Sequence, residues 1–368
     1  MLAALAVSFA LAAPARVTAQ QQGSIEGELS TLPEVSENSD FGFRNGSLVL
    51  APIPFSNPTI GSGLMLGAGY LFKTDATSKP SMIGAGALRS DNGSIGYGLA
   101  VNLAFDNNRW LFESMFAEAD VRYDLFTPLG NLPIRQDGVL ARMSLAYGVT
   151  SELSFGASLR YLDTTITPGA PGLPPIPPPF NKFLNTEVAS LGLLAEWDRR
   201  DDTIYPTSGG YLQFEASRNV ALSGFSQDYT KGFVNYTHYL KVGGAGVFAA
   251  RASACSASVD TPFFDQCSLG STDGFRGFSA TQFLDLRSAS IQVEYRQQFT
   301  KRLGMVAFGG IGMVGPNYKD LDIGGTHTAY GLGARYRVSK KFPLDFSIDL
   351  ARNSLGEDQL YIYVGQRF

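Results

Sequence analysis

The chain of 368 residues has little charge, cysteine or histidine: Asp, Glu, Lys and Arg make up 17%, with two cysteines and two histidines. A typical soluble domain is about one quarter charged, so much of the usual water-facing surface is missing. Twenty-nine basic against 33 acidic residues give a formal charge of −4, which leaves no basic footprint for nucleic acid and no polybasic membrane patch. Two cysteines and the distant His238 and His327 are too few for a zinc site, and no cofactor or metal is expected. Long apolar runs are also missing. After Ala19 nothing approaches the roughly 20 uncharged apolar residues of a membrane helix. Apolar residues nevertheless reach 44%, with 41 glycines, 26 phenylalanines and 16 tyrosines, so disorder is excluded.

Met1 to Ala19 is an apolar run ending in Val17-Thr18-Ala19, small residues of the kind a signal peptidase reads. Pro14 would interrupt a buried helix there. Residues 1–19 therefore read as a signal peptide and Gln20 as the mature start. In an exported chain Cys255 and Cys267, 12 positions apart around a turn-rich segment, read as one disulfide.

From Phe41 onward, period-two segments alternate with turn clusters and almost no 3.6-residue pattern appears. Over Val139 to Val149 one face is Val139, Ala141, Met143, Leu145, Tyr147 and Val149, and the other is Leu140, Arg142, Ser144, Ala146 and Gly148. Over Ala289 to Phe299 the faces are Ala289, Ile291, Val293, Tyr295 and Phe299 against Ser290, Gln292, Glu294, Arg296 and Gln298. Leu153 to Tyr161, Tyr330 to Val338 and Leu360 to Phe368 alternate alike. An apolar face outward with a polar, Gly-containing face inward suits a lipid-embedded strand around a wet lumen. The predicted strands run nine to fifteen residues, most of them past the ~9–11 that cross a bilayer at a tilt, which favours a membrane barrel over a soluble sandwich.

Sixteen strands are predicted, at 46–54, 60–73, 80–90, 93–106, 109–123, 136–149, 151–164, 185–199, 209–221, 227–241, 245–256, 286–299, 303–314, 326–338, 342–352 and 359–368. Connections after odd strands include the long 165–184 and 257–285, whereas Asn107-Asn108, Thr150, 242–244 and 339–341 follow even strands. Outer-membrane barrels have short periplasmic turns and long extracellular loops, so both termini are expected in the periplasm. The Pro-rich stretch 168–180 reads as a stiff surface cover.

Several features in order carry a family resemblance. Asp198, Arg200, Asp201, Pro206 and Gly209 in WDRRDDTIYPTSGG resemble the D-x-R-D-x(4)-P-x-x-G periplasmic turn of the BamA/TamA-type outer-membrane assembly superfamily. Phe275, Arg276, Gly277 and Phe278 resemble its (V/I)-R-G-(F/Y) signature in the long sixth extracellular loop, between the eleventh and twelfth predicted strands. Glu294 resembles the lumenal glutamate that holds that arginine, Cys255 and Cys267 the disulfide some members carry there, and the C-terminal Phe368 the signal read by the assembly machinery. The resemblance implies a loop folded toward the lumen, with Gly277 turning tightly beside the wall and Phe275 and Phe278 wedged against it. Members often supply a second carboxylate from the next strand. Here AFGGIG offers Gly309 and Gly310, which implies a weaker or rearranged lock. Members that fold or secrete proteins usually carry POTRA domains, yet only 20–41 lies between signal peptide and barrel (42–368), as in a POTRA-less member.

One feature needs no resemblance. Pro52 and Pro54 lie two apart, so both missing N–H groups fall on one edge of the first strand. If that edge faces the last strand near Val364 and Phe368, the closing seam is weak and a substrate strand can pair there; the alternative places the prolines above the bilayer near the outer rim, where water satisfies their neighbours. The resemblance then implies insertion, assembly or translocation of unfolded outer-membrane polypeptides, among outer-membrane lipids and with a separate periplasmic partner. The alternatives are a passive pore or a structural barrel, including one that pairs with a second copy of itself. Catalysis is not expected. There is no G-x-S-x-G elbow, neither histidine starts an H-x-S pattern, and His327 with Asp320 and Asp322 is an ordinary loop set.

Overall fold

The computed structural model describes residues 46–368 apart from 77, 128–129, 170–171, 174, 177–180, 182–183, 204, 225–226, 271–274 and 338–344. The expected signal peptide (1–19) and the segment 20–41 lie outside the described residues. The first strands are β1 (Ser47–Asn57), β2 (Gly61–Phe72), β3 (Ser81–Ser90), β4 (Ile95–Phe105), β5 (Trp110–Thr127) and β6 (Gly130–Gly148). They are followed by β7 (Leu153–Pro168), β8 (Asn185–Asp198), β9 (Gly209–Ser223), β10 (Tyr229–Val242) and β11 (Gly246–Ala257). After the long loop come β14 (Arg287–Gln298), β15 (Leu303–Gly315), β16 (His327–Arg337), β17 (Asp345–Asn353) and β18 (Asp358–Val364). These sixteen close into one antiparallel barrel in sequence order, β18 returning to β1. The short β12 (Cys267–Ser268) and β13 (Leu284–Asp285) pair with each other inside the loop.

The outward faces are those the alternation gives. Met143, Leu145 and Tyr147 of β6, Phe155, Leu159 and Tyr161 of β7, Ile291, Val293 and Tyr295 of β14, and Tyr330, Leu332 and Tyr336 of β16 are exposed. Their neighbours Arg142, Ser144, Ser158, Gln292, Glu294, Arg296 and Arg335 point inward and are buried. This is the belt that a lipid-facing barrel wall requires.

Two expectations need correction. The connection 124–135 is not a loop: β5 and β6 pair without a break from Trp110↔Tyr147 to Thr127↔Gly130. The exposed Arg122 and Asp124 give that stretch a polar look, yet Val121, Tyr123 and Leu125 alternate with them and are buried. The lumen is also not wet throughout. Toward the end with the long loops, Ile53, Phe55, Met65, Leu88, Leu140, Leu162 and Val188 of the wall enclose Phe263, Phe264 and Ala280 of the loop in an apolar core. Ile176 of the Pro-rich stretch joins that core, so part of the cover reaches inward. The loop thus plugs the barrel with apolar side chains and keeps its charged groups for specific sites.

Candidate functional site

Arg276 reaches the lumen wall fully buried. Its Nη2 donates to Glu294 of β14 at 2.5 Å and its Nη1 to Asp349 of β17 at 2.6 Å. The guanidinium also lies over the Phe308 ring, 3.6 Å from its centroid. Arg296 Nε donates to the other oxygen of Glu294 at 2.7 Å, and Arg335 Nη1 to the other oxygen of Asp349 at 2.5 Å. Three guanidiniums therefore share two carboxylates, a geometry in which charge-assisted hydrogen bonds offset the loss of hydration.

Gly277 holds the turn at φ +124, and a Cβ there would lie 2.5 Å from Cβ of Ala329. Its N–H donates to Tyr361 Oη at 2.7 Å, and its carbonyl accepts from Asn353 Nδ2 at 2.9 Å. Phe275 and Phe278 stack with ring centroids 5.8 Å apart, and both belong to a buried cluster with Leu269, Val314 and Ala329.

The lock is rearranged relative to the resemblance, and Asp349 is the residue that sequence reasoning missed. The second carboxylate comes from β17 and not from β15, the strand after Glu294. Gly310 of β15 instead clears space for the loop: a Cβ there would sit 2.9 Å from Cε2 of Phe275. The available signal was a lone carboxylate between the outward Ile348 and Leu350.

The turn motif of 198–209 is ordered by its own charges. Arg200 is bidentate to Asp198, at 2.8 and 2.7 Å, and stacks on Tyr211. Asp201 accepts from the backbone N–H groups of Thr207 and Ser208, at 2.8 and 3.0 Å, and from the Thr207 hydroxyl. Burial pushes the Asp201 carboxyl up, but these hydrogen bonds outweigh it and hold it below the usual carboxylate value. Gly209 opens β9. The Pro206 carbonyl accepts from Arg296 at 3.5 Å, so the turn touches the lock.

The seam differs from every other wall. β1 and β18 share one registered pair, Ser56↔Ile362, whereas β1 and β2 pair without a break from Ser47↔Leu71 to Asn57↔Gly61. Prolines have no N–H, so an unbroken ladder through Pro52 and Pro54 turns both ring nitrogens away from β2 and toward β18. The last strand ends at Val364, and the expectation that it runs to Phe368 at the seam is corrected. Gly365, at φ +92, turns the chain inward. Phe368 is fully buried across the lumen against Tyr239, Val247 and Ala249, with its carbonyl accepting from Arg296 at 3.2 Å. Its ring leaves the seam because three guanidiniums draw it inside: Arg296 at the carbonyl, and Arg251 and Arg276 at 5.1 and 5.5 Å from the ring centroid.

Cys255 and Cys267 form the disulfide, tying the end of β11 to the loop. His327 stacks on Phe283 with centroids 3.6 Å apart, while Asp320 is taken up by Asn317.

No curated protein sequence matches the chain. Among solved structures it is similar to a BamA from Haemophilus ducreyi lacking POTRA domains 1–3, with TM-score 0.59 and 14% identity over 94% of this chain and 77% of that one. It is also similar to CdiB from Acinetobacter baumannii, with TM-score 0.58 and 11% identity over 86% of this chain and 59% of that one. CdiB from Escherichia coli aligns with TM-score 0.58 and 12% identity over 91% and 63%. The chain thus spans about three fifths of each CdiB, and identities this low speak to the fold alone. The family model of the Omp85 superfamily domain matches residues 96–368, nearly three quarters of the sequence and including the turn motif, the loop lock and the last strand: the chain belongs to the Omp85 superfamily.

Proposed function

We propose that the protein resides in the bacterial outer membrane and assists the insertion or translocation of outer-membrane polypeptides, offering the β1 edge at the seam to an incoming strand. The observation that carries this reading is the single registered pair between β1 and β18 beside an unbroken β1–β2 ladder. Unpaired donors and acceptors in lipid are costly, and a client strand that fills them gains that free energy on pairing. The role is proposed as non-enzymatic, with a separate periplasmic partner delivering clients to the turn end of the barrel.

Assisted folding tests it. Liposomes containing the mature protein receive a urea-unfolded outer-membrane barrel, and client folding is followed by heat-modifiable migration and protease protection. Extending the Ser56↔Ile362 register sets Pro54 opposite Val364, since both pairs sum to 418. The Pro54→Cys/Val364→Cys variant, oxidised, is expected to lose the acceleration and to regain it on reduction. Equal client folding with the seam tied, or no acceleration over empty liposomes by the untied protein, overturns the reading.

A further inference from the structure

The resemblance that points to Arg276 says nothing of a second charged group on the same loop. Asp265, 11 residues before Arg276, ends the single turn Phe263–Asp265 and is buried, with 2% of its side chain exposed. Three donors converge on it from β7 and β10 of the wall. Arg160 of β7 donates from Nη2 at 2.5 Å and Nη1 at 3.4 Å, Tyr229 of β10 from its hydroxyl at 2.6 Å, and Lys231 of β10 from Nζ at 3.0 Å. Asn219 of β9 accepts from the same Arg160 at 3.2 Å and fixes its plane. The flanking Phe263 and Phe264 sit in the apolar core, and the Cys255–Cys267 bridge fixes the chain two residues after Asp265.

We propose that Asp265 is a second latch of the lumenal loop, opposite in sign to the first, and that the loop leaves the lumen only when both are released. In the first latch the loop carries the cation and the wall the carboxylates. In the second the loop carries the carboxylate and the wall the cations. Both belong to one stretch of chain, so their breaking free energies add, and loss of either leaves the other holding. Opposite polarity adds selectivity. A basic segment entering the lumen competes for Glu294 and Asp349 but not for Arg160 and Lys231, and an acidic one does the reverse. When the loop is out, Arg160, Tyr229 and Lys231 remain as a built carboxylate receptor in the wall. The inference is independent of whether the barrel inserts polypeptides, because it concerns the position of the loop.

The test is conductance of the purified barrel in planar bilayers, with heat-modifiable migration confirming that each variant is folded. Arg276→Ala and Asp265→Asn alone are expected to stay near the closed level. The double variant is expected to raise open probability at least about tenfold above either, the scale of one lost charge-assisted hydrogen bond. Arg160→Gln in the Arg276→Ala background is expected to reproduce the double variant. If a variant fails to fold, Asp265→Gly with Arg276→Ala in sodium formate replaces it: formate filling the receptor lowers conductance relative to sodium chloride of equal ionic strength by more than the ratio of the two solutions' bulk conductivities. A double variant no more open than Arg276→Ala overturns the proposal, and so does conductance indifferent to formate.

Discussion

The arithmetic of the lock predicts an asymmetry among its members. The directly bonded set holds three cations, Arg276, Arg296 and Arg335, and two anions, Glu294 and Asp349. Replacing Arg276 by Met leaves two one-to-one pairs, Arg296 with Glu294 at 2.7 Å and Arg335 with Asp349 at 2.5 Å, and a methionine beside the Phe308 ring. Replacing Glu294 by Gln, or Asp349 by Asn, leaves three guanidiniums around one carboxylate in a site where Arg276 and both carboxylates have no exposure. Breaking a buried pair so that a charge stays uncompensated costs about 3–5 kcal/mol, whereas exchanging a buried ion for an apolar side chain is often close to neutral. Arg276→Met is thus expected to cost the barrel at most about 2 kcal/mol, and Glu294→Gln or Asp349→Asn about 3–5 kcal/mol each. Urea unfolding of the refolded barrel, followed by the fluorescence of Trp110 and Trp197, measures all three. A loss for Arg276→Met equal to or above that for Glu294→Gln would refute the charge-balance reasoning.

Pro54→Ala restores a donor opposite Val364, the last residue of β18, and is expected to raise barrel stability by about 0.5–1.5 kcal/mol, read as a higher temperature for loss of the folded band; no shift removes the donor explanation. Gly310→Asp, which restores a carboxylate to β15, is expected to unseat the loop through its clash with Phe275 and to be rescued by Phe275→Ala, as limited proteolysis of the loop would report. For the second latch, burial alone would raise the Asp265 carboxyl, but Arg160 and Lys231 hold it well below the usual carboxylate range. A depressed folded-state pKa gives stability that is present above the unfolded value and lost as pH falls through the folded one. The latch is therefore expected to stay closed down to about pH 4, so in the Arg276→Ala barrel, where it holds the loop alone, conductance rising between pH 6 and pH 5 would contradict the assignment.

What was legible in the sequence follows distance along the chain. Alternation is local, so sixteen strands and their inward faces could be read, with the inward positions of Arg142, Glu294, Arg296 and Arg335 among them. Cys255 and Cys267 were legible because the number of partners was one. Asp349 was legible only in part: its place between the outward Ile348 and Leu350 sets it on the inner face, but it meets Arg276 from 73 positions away, and nothing in IDLAR names that partner. Arg160, Tyr229 and Lys231 escaped for the same reason, since their common partner, Asp265, lies in a loop whose path only the closed barrel fixes. The apolar upper lumen had a faint signal. Leu140, Leu162 and Ile166 stand on faces that are polar lower down, so the alternation changes character along single strands. The inward tail had a fainter one, a glycine at 365 in an otherwise regular β pattern.

That tail changes what the weak seam means. A strand end left unpaired in lipid would cost several kcal/mol for each orphaned group, and a barrel with such an edge would be expected to zip further. Here the groups beyond Val364 have other partners. The Gly365 N–H donates to the Asp345 carbonyl at 2.7 Å, its carbonyl accepts from Ser347 Oγ at 2.8 Å, Gln366 donates to Asp345 Oδ2 at 2.6 Å, and Phe368 is held by Arg296. The β18 side of the seam is short because its continuation is bonded elsewhere, and the β1 side, at Pro52 and Pro54, presents carbonyl acceptors without an N–H beside them. Arg296 is shared by three claimants: Glu294 of the lock, the Phe368 carbonyl of the tail, and the Pro206 carbonyl of the turn. A guanidinium has a fixed set of donors, so movement of any one claimant changes what the other two receive. The turn motif, the loop lock and the strand that closes the barrel, far apart in sequence, are joined through one side chain.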